Sequence, residues 1–221
     1  MHSSFSIYFT EPNKPWNVYV ELSNGSIFGC DFVVSATGVV PNNRVFLSGN
    51  NFRTAADGGF CVSRTMLTSV DNVYAAGDVC TPDWSDTEYW FQMRLWTQAR
   101  QMGYYAAKCI TSKLRNRSPE LFFNFFVFTH VTKFFGLRVT LLGFFNGQRL
   151  APEKCQWKYS VEPGKKLIKF VHQSNRVKGA VLIGDTTMDE TFENLIYNQI
   201  NLTGIIDHLL DDNVDIEDYF D

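Results

Sequence analysis

The sequence lacks two short motifs that would define its chemistry directly. None of its 15 glycines falls in a G-x-G-x-x-G pattern, the loop with which dinucleotide-binding folds hold a pyrophosphate. Its five cysteines are scattered, with no C-x-x-C pair and no spacing suited to zinc. A complete dinucleotide phosphate loop and a C-x-x-C dithiol are therefore excluded from these residues. An odd number of scattered cysteines predicts free thiols in a reducing compartment.

Long hydrophobic runs are also missing. The most apolar segment, 121–145, is interrupted by His130, Lys133 and Arg138. No stretch of about 18 uncharged apolar residues is present, which argues against a membrane span. Met1 is not followed by a basic segment and an apolar core, so we expect no secretory signal. These absences predict a protein of the cytoplasm or the nucleus.

Neither sign of charge is in large excess. Twenty Lys and Arg stand against 23 Asp and Glu, and a net charge of −3 gives no reason to expect a nucleic-acid surface. Six of the carboxylates lie in residues 211–221, which contain no Lys or Arg. This acidic tail is either a solvated segment or one that docks on a partner through Ile216, Tyr219 and Phe220.

The first 38 residues predict strands. Residues 17–22 alternate between apolar and polar side chains, Asn24-Gly25 favours a hairpin turn, and residues 27–30 form the returning strand. Residues 31–38 are almost wholly apolar and end in a glycine. Such a run is typical of a strand that is buried on both faces in a parallel sheet.

A strand, a turn and a helix are predicted next. Residues 73–76 are a second short apolar strand that ends at Gly77-Asp78. After a loop, residues 85–88 fit a capping box, which would begin a helix over about 89–113. A strand, a Gly-Asp turn and a helix make half of a nucleotide-binding unit.

The sequence changes in character after Pro119. Nine of the 20 phenylalanines lie between Phe122 and Phe145, a density that favours an interface over a core. Strand-like and helix-like segments then follow, at 139–143, 166–172, 179–185 and, for the helix, 190–199. We expect a separate α+β domain in which helices pack on a few antiparallel strands.

The strongest candidate binding signal is a composite of residues 57–62, residues 66–68 and the run Val-Tyr-Ala-Ala-Gly-Asp-Val over 73–79. Gly77 has no side chain, so the backbone can come close to a bound group. The Asp78 carboxylate can accept hydrogen bonds from sugar-like hydroxyls, and the backbone N–H groups after it can face a pyrophosphate. Taken alone, such a run is more often a buried strand whose Asp caps a turn.

A second motif, Ala-Thr-Gly-Val-Val-Pro-Asn over 36–42, lies about forty residues upstream. Together, in this order and spacing, the two resemble the signatures of the FAD/NAD(P)-dependent pyridine nucleotide-disulphide oxidoreductase superfamily. The resemblance implies an α/β fold: the C-terminal portion of a flavoprotein with two dinucleotide-binding domains, comprising a partial Rossmann-like FAD-binding domain and an α+β C-terminal interface domain. The implied parts are the end of the NAD(P)H-binding domain (1–34), the FAD-binding part (35–115), the interface domain (116–210) and the acidic tail (211–221).

The resemblance also implies which residues hold FAD. Asp78 matches the aspartate that binds the ribityl chain, and Gly77 and Val79 match the backbone beside the pyrophosphate. Thr37 and Gly38 match the turn near the adenosine part. No catalytic residue and no metal ligand is implied.

The resemblance implies two further cofactor-binding residues and gives no such role to the remaining candidates. Gln98 and Ala99 match the helix whose N-terminal end approaches the isoalloxazine, where the helix dipole favours the negative charge of reduced flavin. The superfamily's dithiol members carry a His-Pro-Thr motif, whereas the segment after His130 reads Val-Thr, so we expect this histidine to pack or to face solvent. Cys80 is expected to be a small buried hydrophobe.

The sequence leaves two roles open for Trp90 and Trp96. They are expected either to border a flavin or an acceptor pocket or to pack in the core.

The whole chain, including its Asp-Ile-Glu-Asp-Tyr-Phe-Asp ending, resembles the C-terminal part of one superfamily member. This resemblance implies a cytosolic and nuclear NAD(P)H/FAD enzyme of oxidative-stress defence, linked to the tRNA ligase complex and to muscle fibre integrity. The longer protein would pass hydride from NAD(P)H to FAD, and this chain alone, without phosphate loops, would not be competent. The alternatives are a non-catalytic interaction or dimerisation fragment and a truncated product with no function of its own.

Overall fold

The structure is a computed structural model that describes residues 5–9, 15–84 and 88–211. Contacts between Cα atoms divide the chain into two compact units, residues 1–39 and residues 40–221. Residues 85–87 of the predicted capping box and residues 212–221 of the acidic tail lie outside the described residues. The four-part division that the resemblance implies stays a prediction.

The first unit contains a three-stranded antiparallel sheet. Its strands, in the order β1-β2-β3, are β1 (Phe5–Phe9), β2 (Val18–Leu22) and β3 (Ile27–Cys30). Gly25 adopts a φ of +81° in the turn between β2 and β3, a conformation that glycine reaches without strain. The predicted hairpin is confirmed.

The prediction of a buried strand over 31–38 is wrong. This segment forms no strand, and its apolar side chains are open to solvent, with Phe32 at 75% and Val34 at 76% of their full exposure. A parallel strand is buried on both faces only where other strands and helices cover it. Within the described part of the chain, no strand pairs with residues 31–38.

The second unit begins with short elements and one long helix. They are α1 (Arg44–Leu47), β4 (Phe60–Val62), a 3₁₀ turn (Gly77–Val79), β5 (Cys80–Pro82) and α2 (Trp96–Leu114). Strands β4 and β5 are parallel, with Phe60 opposite Cys80 and Val62 opposite Pro82. The face of α2 that carries Met102 and Tyr105 packs into their core. None of the helices in the described ranges is long and apolar enough to cross a membrane.

The parallel strands of this region are β4 and β5, and residues 73–76 are not one of them. Residues 73–76, predicted as a buried strand, make a single bridge, between Tyr74 and Leu67. Val73 is 38% exposed, and the described residues offer no neighbouring strand for a ladder. The apolar run therefore packs at the margin of the core, and the strand prediction is wrong.

Helix α2 begins at Trp96, seven residues later than predicted. Arg94 has a φ of +54° and Leu95 is extended, so the helix cannot continue toward its predicted start. The buried Gln98 side chain fixes this entry, because it accepts a hydrogen bond from the Met93 N–H at 2.8 Å and donates one to the Phe91 carbonyl at 2.9 Å. The predicted end of the helix is confirmed to within one residue.

The C-terminal half of the second unit is a five-stranded antiparallel sheet with a helix against it, and the predicted strands and helix are confirmed. In the sheet order β6-β7-β10-β9-β8, the strands are β6 (Thr129–Phe134), β7 (Leu137–Gly143), β10 (Arg176–Ile183), β9 (Lys166–Gln173) and β8 (Gln156–Glu162). Helix α3 (Asp189–Asn198) buries Phe192, Leu195 and Ile196 against the sheet. Asn175, in the left-handed region of the turn, favours the β9–β10 hairpin.

The phenylalanine cluster divides between core and surface. Phe125 and Phe128 are fully buried, and Phe144 and Phe145 nearly so. Phe135, by contrast, is 90% exposed at the turn between β6 and β7, where its φ is +46°. The cluster is therefore neither a pure core nor a single continuous surface.

His172 on β9 is an unusual core residue. It is 1% exposed, and neither ring nitrogen has a hydrogen-bond partner among the described residues. Burial lowers the pKa of His172, because a charged imidazole would lose its hydration. The Lys158 ammonium lowers the pKa further, and the Asp207 carboxylate opposes this shift.

We predict that His172 makes the fold sensitive to acid. An unfolded histidine titrates near pH 6.5, whereas the folded pKa is lower, so the unfolded state binds the proton more readily. The contribution of neutral His172 to stability is intact above about pH 6.5 and is lost as the pH falls below it. Between pH 7.5 and pH 5.5, urea unfolding should show a smaller loss of unfolding free energy for His172→Phe than for the wild type. An equal loss in the wild type and in His172→Phe would contradict the prediction.

Candidate functional site

The predicted binding turn is a tight 3₁₀ turn at Gly77–Val79 that only glycine can begin without strain. Ala76 is extended, and Gly77 then takes a φ of +77°. The Gly77 carbonyl accepts hydrogen bonds from the Cys80 N–H and from Gln92 Nε2, the second at 3.1 Å. A Cβ atom at Gly77 would lie 3.2 Å from the Cβ of Ala99 on α2. The turn therefore packs closely against the first part of α2 because Gly77 has no side chain.

Asp78 presents its carboxylate outward from this turn. The residue is exposed, and its side chain has no hydrogen-bond partner within the described ranges. Its backbone carbonyl accepts a hydrogen bond from Arg94 Nε at 3.1 Å. The backbone is thus held in place while the carboxylate stays available to a ligand.

A polar network anchors the turn from one side. Arg94 Nη2 contacts Asp57 Oδ2 at 2.7 Å and donates to Thr81 Oγ1 at 3.1 Å. The Thr81 hydroxyl in turn donates to Asp57 Oδ1 at 2.8 Å. The Arg94 side chain is only 14% exposed. One guanidinium therefore joins the segment before β4, the Gly-Asp turn and the strand β5.

The charge of Asp57 is stabilised inside this network. Partial burial raises the pKa of Asp57, but hydrogen bonds from Arg94, the Gly59 N–H and Thr81 outweigh that effect and hold the pKa below its ordinary value. Asp57 is therefore ionised at neutral pH and keeps the Arg94 guanidinium in place.

The structure brings five of the seven predicted cofactor-binding residues together. Gly77, Asp78 and Val79 form the turn, and Gln98 and Ala99 lie in the first turns of α2 beside it. The Gln98 side-chain amide already hydrogen-bonds to backbone groups of the segment that precedes the helix.

Thr37 and Gly38, the other two predicted residues, belong to the first unit. Both are exposed, and Gly38 has a φ of +80° with open space where a Cβ would stand. All seven assignments stay predictions.

The remaining candidates fall into different environments. Cys80 is fully buried, and burial raises its pKa to about 12, so the thiol is protonated and packs as a small hydrophobe, as predicted. Trp90 is buried and stacks on Trp84 with ring centroids 5.3 Å apart, whereas Trp96 is 95% exposed at the start of α2. His130 is half-buried on β6. Its Nδ1 has no partner among the described residues, and burial lowers its pKa.

Arg94, Thr81 and Gln92 carry roles that the sequence did not reveal. Arg94 and Asp57 are 37 residues apart, so no local spacing links them. Asp57 belongs to the Asp-Gly-Gly run over 57–59, a signal that a sequence reading could notice without assigning it a partner.

The fold and this turn agree with a match to a known family. Residues 8–103 match the family model described as pyridine nucleotide-disulphide oxidoreductase, a range that includes the Gly-Asp turn and the beginning of α2. The chain belongs to this family, as its two motifs predicted.

Curated relatives point to a particular branch of the family. Pyridine nucleotide-disulfide oxidoreductase domain-containing protein 1 of Mus musculus is 52% identical over 96% of this chain and 42% of its own length. The protein of the same name from Drosophila melanogaster is 46% identical over 92% of this chain and 43% of its length. An NAD(P)H sulfur oxidoreductase (CoA-dependent) of Pyrococcus furiosus is 29% identical over 74% of this chain. The chain spans less than half the length of these relatives.

Solved structures share the fold at low sequence identity. An NAD-dependent persulfide reductase from A. fulgidus superposes with a TM-score of 0.64 at 19% identity, over 90% of this chain and 38% of that protein. A putidaredoxin reductase in a covalent complex with putidaredoxin gives a TM-score of 0.61 at 15% identity, over 83% of this chain and 40% of that chain. The predicted α/β fold, as a portion of such an oxidoreductase, is confirmed.

We predict that Gly77→Ala destabilises the protein. A left-handed φ costs a non-glycine residue roughly 1–2 kcal/mol, and the new methyl group would also press on Ala99. Urea unfolding of wild type and variant gives the difference in unfolding free energy.

Gly103→Ala is the matched control for this prediction. Gly103 lies on the exposed face of α2 with open space around a Cβ, so the alanine should stabilise the helix by roughly 0.5–1 kcal/mol. Equal effects of the two substitutions would contradict the strained-turn account.

Proposed function

We propose that this chain is part of a FAD-dependent NAD(P)H oxidoreductase and supplies one side of its flavin site. The observation that carries the proposal is the Gly77–Val79 turn, whose backbone is fixed by Arg94 while the Asp78 carboxylate stays exposed. Membership of the oxidoreductase family supports it.

The described residues fit the polar parts of FAD. The Asp78 carboxylate is available to accept hydrogen bonds from ribityl hydroxyls. Gly77, which packs closely on Ala99, places no side chain at the turn. In our proposal, Val79 lends its backbone to the pyrophosphate, and Thr37 and Gly38 lie near the adenosine. When bound, FAD would accept the hydride of NAD(P)H.

The start of α2 fits a group that becomes negative on reduction. The helix has 19 residues, and no side chain caps its first backbone N–H groups. Those N–H groups and the positive end of the helix dipole would stabilise negative charge placed there. Gln98 acts indirectly in this proposal, because it fixes where the helix begins.

Chemistry through a thiol is not part of the proposal. The sequence has no C-x-x-C, and the Cys80 thiol beside the turn is fully buried and protonated at neutral pH. The residues near the turn bind and orient; they do not form or break a disulphide.

This chain alone is proposed not to be competent. It has no G-x-G-x-x-G loop to contribute the remaining pyrophosphate contacts. Phe32, Val34 and Val40 are each at least 75% exposed, which favours aggregation. We expect weak or no flavin binding by the 221-residue chain.

We also propose, from the resemblance alone, a cellular setting for the longer protein. It would act in the cytoplasm and the nucleus in the defence against oxidative stress, and would associate with the tRNA ligase complex. Co-immunoprecipitation of the tagged protein with that complex, before and after peroxide treatment, tests this proposal; recovery no higher than from an untagged control would contradict it.

A second candidate function is self-association without catalysis. The edge strand β8 exposes Trp157, Tyr159 and Val161, and the turn between β6 and β7 exposes Phe134 and Phe135. Apolar side chains on a sheet edge favour contact with another chain. Flavin content separates the two functions, because this second one needs no cofactor.

The main test uses a hybrid in which this chain replaces the segment that it matches in the mouse relative. We expect the purified hybrid to be yellow and to be bleached by NADH or NADPH. A colourless hybrid that releases no flavin on denaturation would overturn the proposal.

In the same hybrid, Asp78→Asn should weaken flavin binding about 10- to 100-fold, because an amide oxygen accepts weaker hydrogen bonds than a charged carboxylate. Asp83→Asn is the control, since Asp83 is an exposed carboxylate of the same segment that pairs with Arg53 at the surface. Equal flavin content in both variants would refute the role of Asp78.

The 221-residue chain is tested separately. After incubation with FAD and gel filtration, we expect it to retain far less than one flavin per chain. Stoichiometric flavin in the protein peak would show that one side of the site is sufficient and would contradict the proposed incompetence.

A further inference from the structure

A second concave site lies away from the Gly-Asp turn network. A cavity of about 390 Å³ opens where α2, β6, α3 and the 3₁₀ turn Phe123–Phe125 meet. The residues that line it are Thr97, Gln101, Phe123, Asn124, Thr129, Val131 and Glu193. Its volume lies within the range of small-molecule sites.

Regular secondary structure shapes this cavity. Thr97 and Gln101 are four residues apart on α2, so they share one face of the helix. Thr129 and Val131 are two residues apart on β6, so they share one face of the strand. Two helices, a strand and the 3₁₀ turn Phe123–Phe125 thus supply the walls of the cavity.

Glu193 gives the cavity a carboxylate that forms no ion pair with a cation among the described residues. Its Oε1 accepts a hydrogen bond from Thr129 Oγ1 at 2.8 Å, and Glu193 is half-buried. None of the lining residues is Lys or Arg, and none of the ion pairs in the described part of the chain involves Glu193. Asp57, in contrast, is paired with Arg94.

One aromatic ring and several neutral oxygens also line the cavity. Phe123 is 49% exposed, and its ring packs edge to face on Tyr197 of α3, with centroids 5.0 Å apart. An exposed ring face attracts a cation. The side-chain oxygens of Gln101, Asn124 and Thr97 can accept hydrogen bonds from N–H donors.

We propose that this cavity binds a small organic cation through its guanidinium or ammonium group. Glu193 would pair with the charge, the Phe123 ring would cover one side of it, and the amide and hydroxyl oxygens would take its remaining N–H donors. An anion would meet the Glu193 carboxylate, and an apolar ligand would leave the polar lining without partners. The proposal does not depend on flavin binding.

The test uses two ligands of the same shape. N-acetyl-argininamide carries a guanidinium, and N-acetyl-citrullinamide replaces it with a neutral urea. Titration of the ¹⁵N-labelled 221-residue chain, followed through backbone amide shifts, should give a dissociation constant on the order of millimolar for the arginine compound. The citrulline compound should bind at least tenfold more weakly. Equal binding of the two would overturn the proposal.

Variants locate the binding. Glu193→Gln should weaken binding of the arginine compound roughly tenfold or more, because the charged acceptor is lost. Glu153→Gln, an exposed carboxylate of the 3₁₀ turn Pro152–Lys154, is the matched control and should bind as wild type. Phe123→Leu keeps the charge and should weaken binding about two- to fivefold. Circular dichroism checks that each variant is folded, and unchanged binding in folded Glu193→Gln or Phe123→Leu would contradict the proposed contacts.

A last comparison separates two sources of the same cation. Spermidine represents a free small ligand, and the peptide Gly-Gly-Arg-Gly-Gly represents an exposed side chain of another protein. Tighter binding of spermidine supports the proposed small ligand. Tighter binding of the peptide would overturn that part of the proposal and indicate a protein contact.

Discussion

The contact between the Arg94 guanidinium and the Asp57 carboxylate is the interaction on which the candidate site depends. It joins chain segments that are distant in sequence, and through Arg94 Nε it also holds the Asp78 carbonyl. An exposed ion pair contributes little, but Arg94 is largely covered and makes further hydrogen bonds to Thr81 and Asp78. The site geometry therefore rests on one multiply bonded side chain rather than on a continuous sheet.

Local patterns predicted those elements whose partners are close in sequence. The hairpin β2–β3 follows from the alternation of β2 and from its Asn-Gly turn, and α3 follows from its apolar spacing. The apolar runs 31–38 and 73–76 look like buried strands, yet an apolar run becomes a strand only where other strands flank it. The start of α2 was missed because Gln98 hydrogen bonds, rather than a capping sequence, determine where the helix begins.

The two sites differ in how much of them the sequence discloses. The Gly77–Val79 turn is a contiguous motif, so family resemblance locates it from the sequence alone. The Glu193 cavity is assembled from four elements between Thr97 and Glu193, and each of its residues is ordinary in its local context. From the sequence alone, a carboxylate on an amphipathic helix is interpreted as a solvated residue, because the strand and helix that face it are known only from the fold.

The buried Cys80 thiol makes the stability of the turn accessible to chemical kinetics. Its Sγ atom donates to the Gly77 carbonyl at 3.4 Å and has no exposed surface. An alkylating reagent can reach this sulfur only when the turn opens, and it then meets a thiol freed from the burial that suppresses its ionisation. The alkylation rate of Cys80 thus reports how often the turn opens. The same hydrogen bonds that hold Asp78 toward solvent determine this opening.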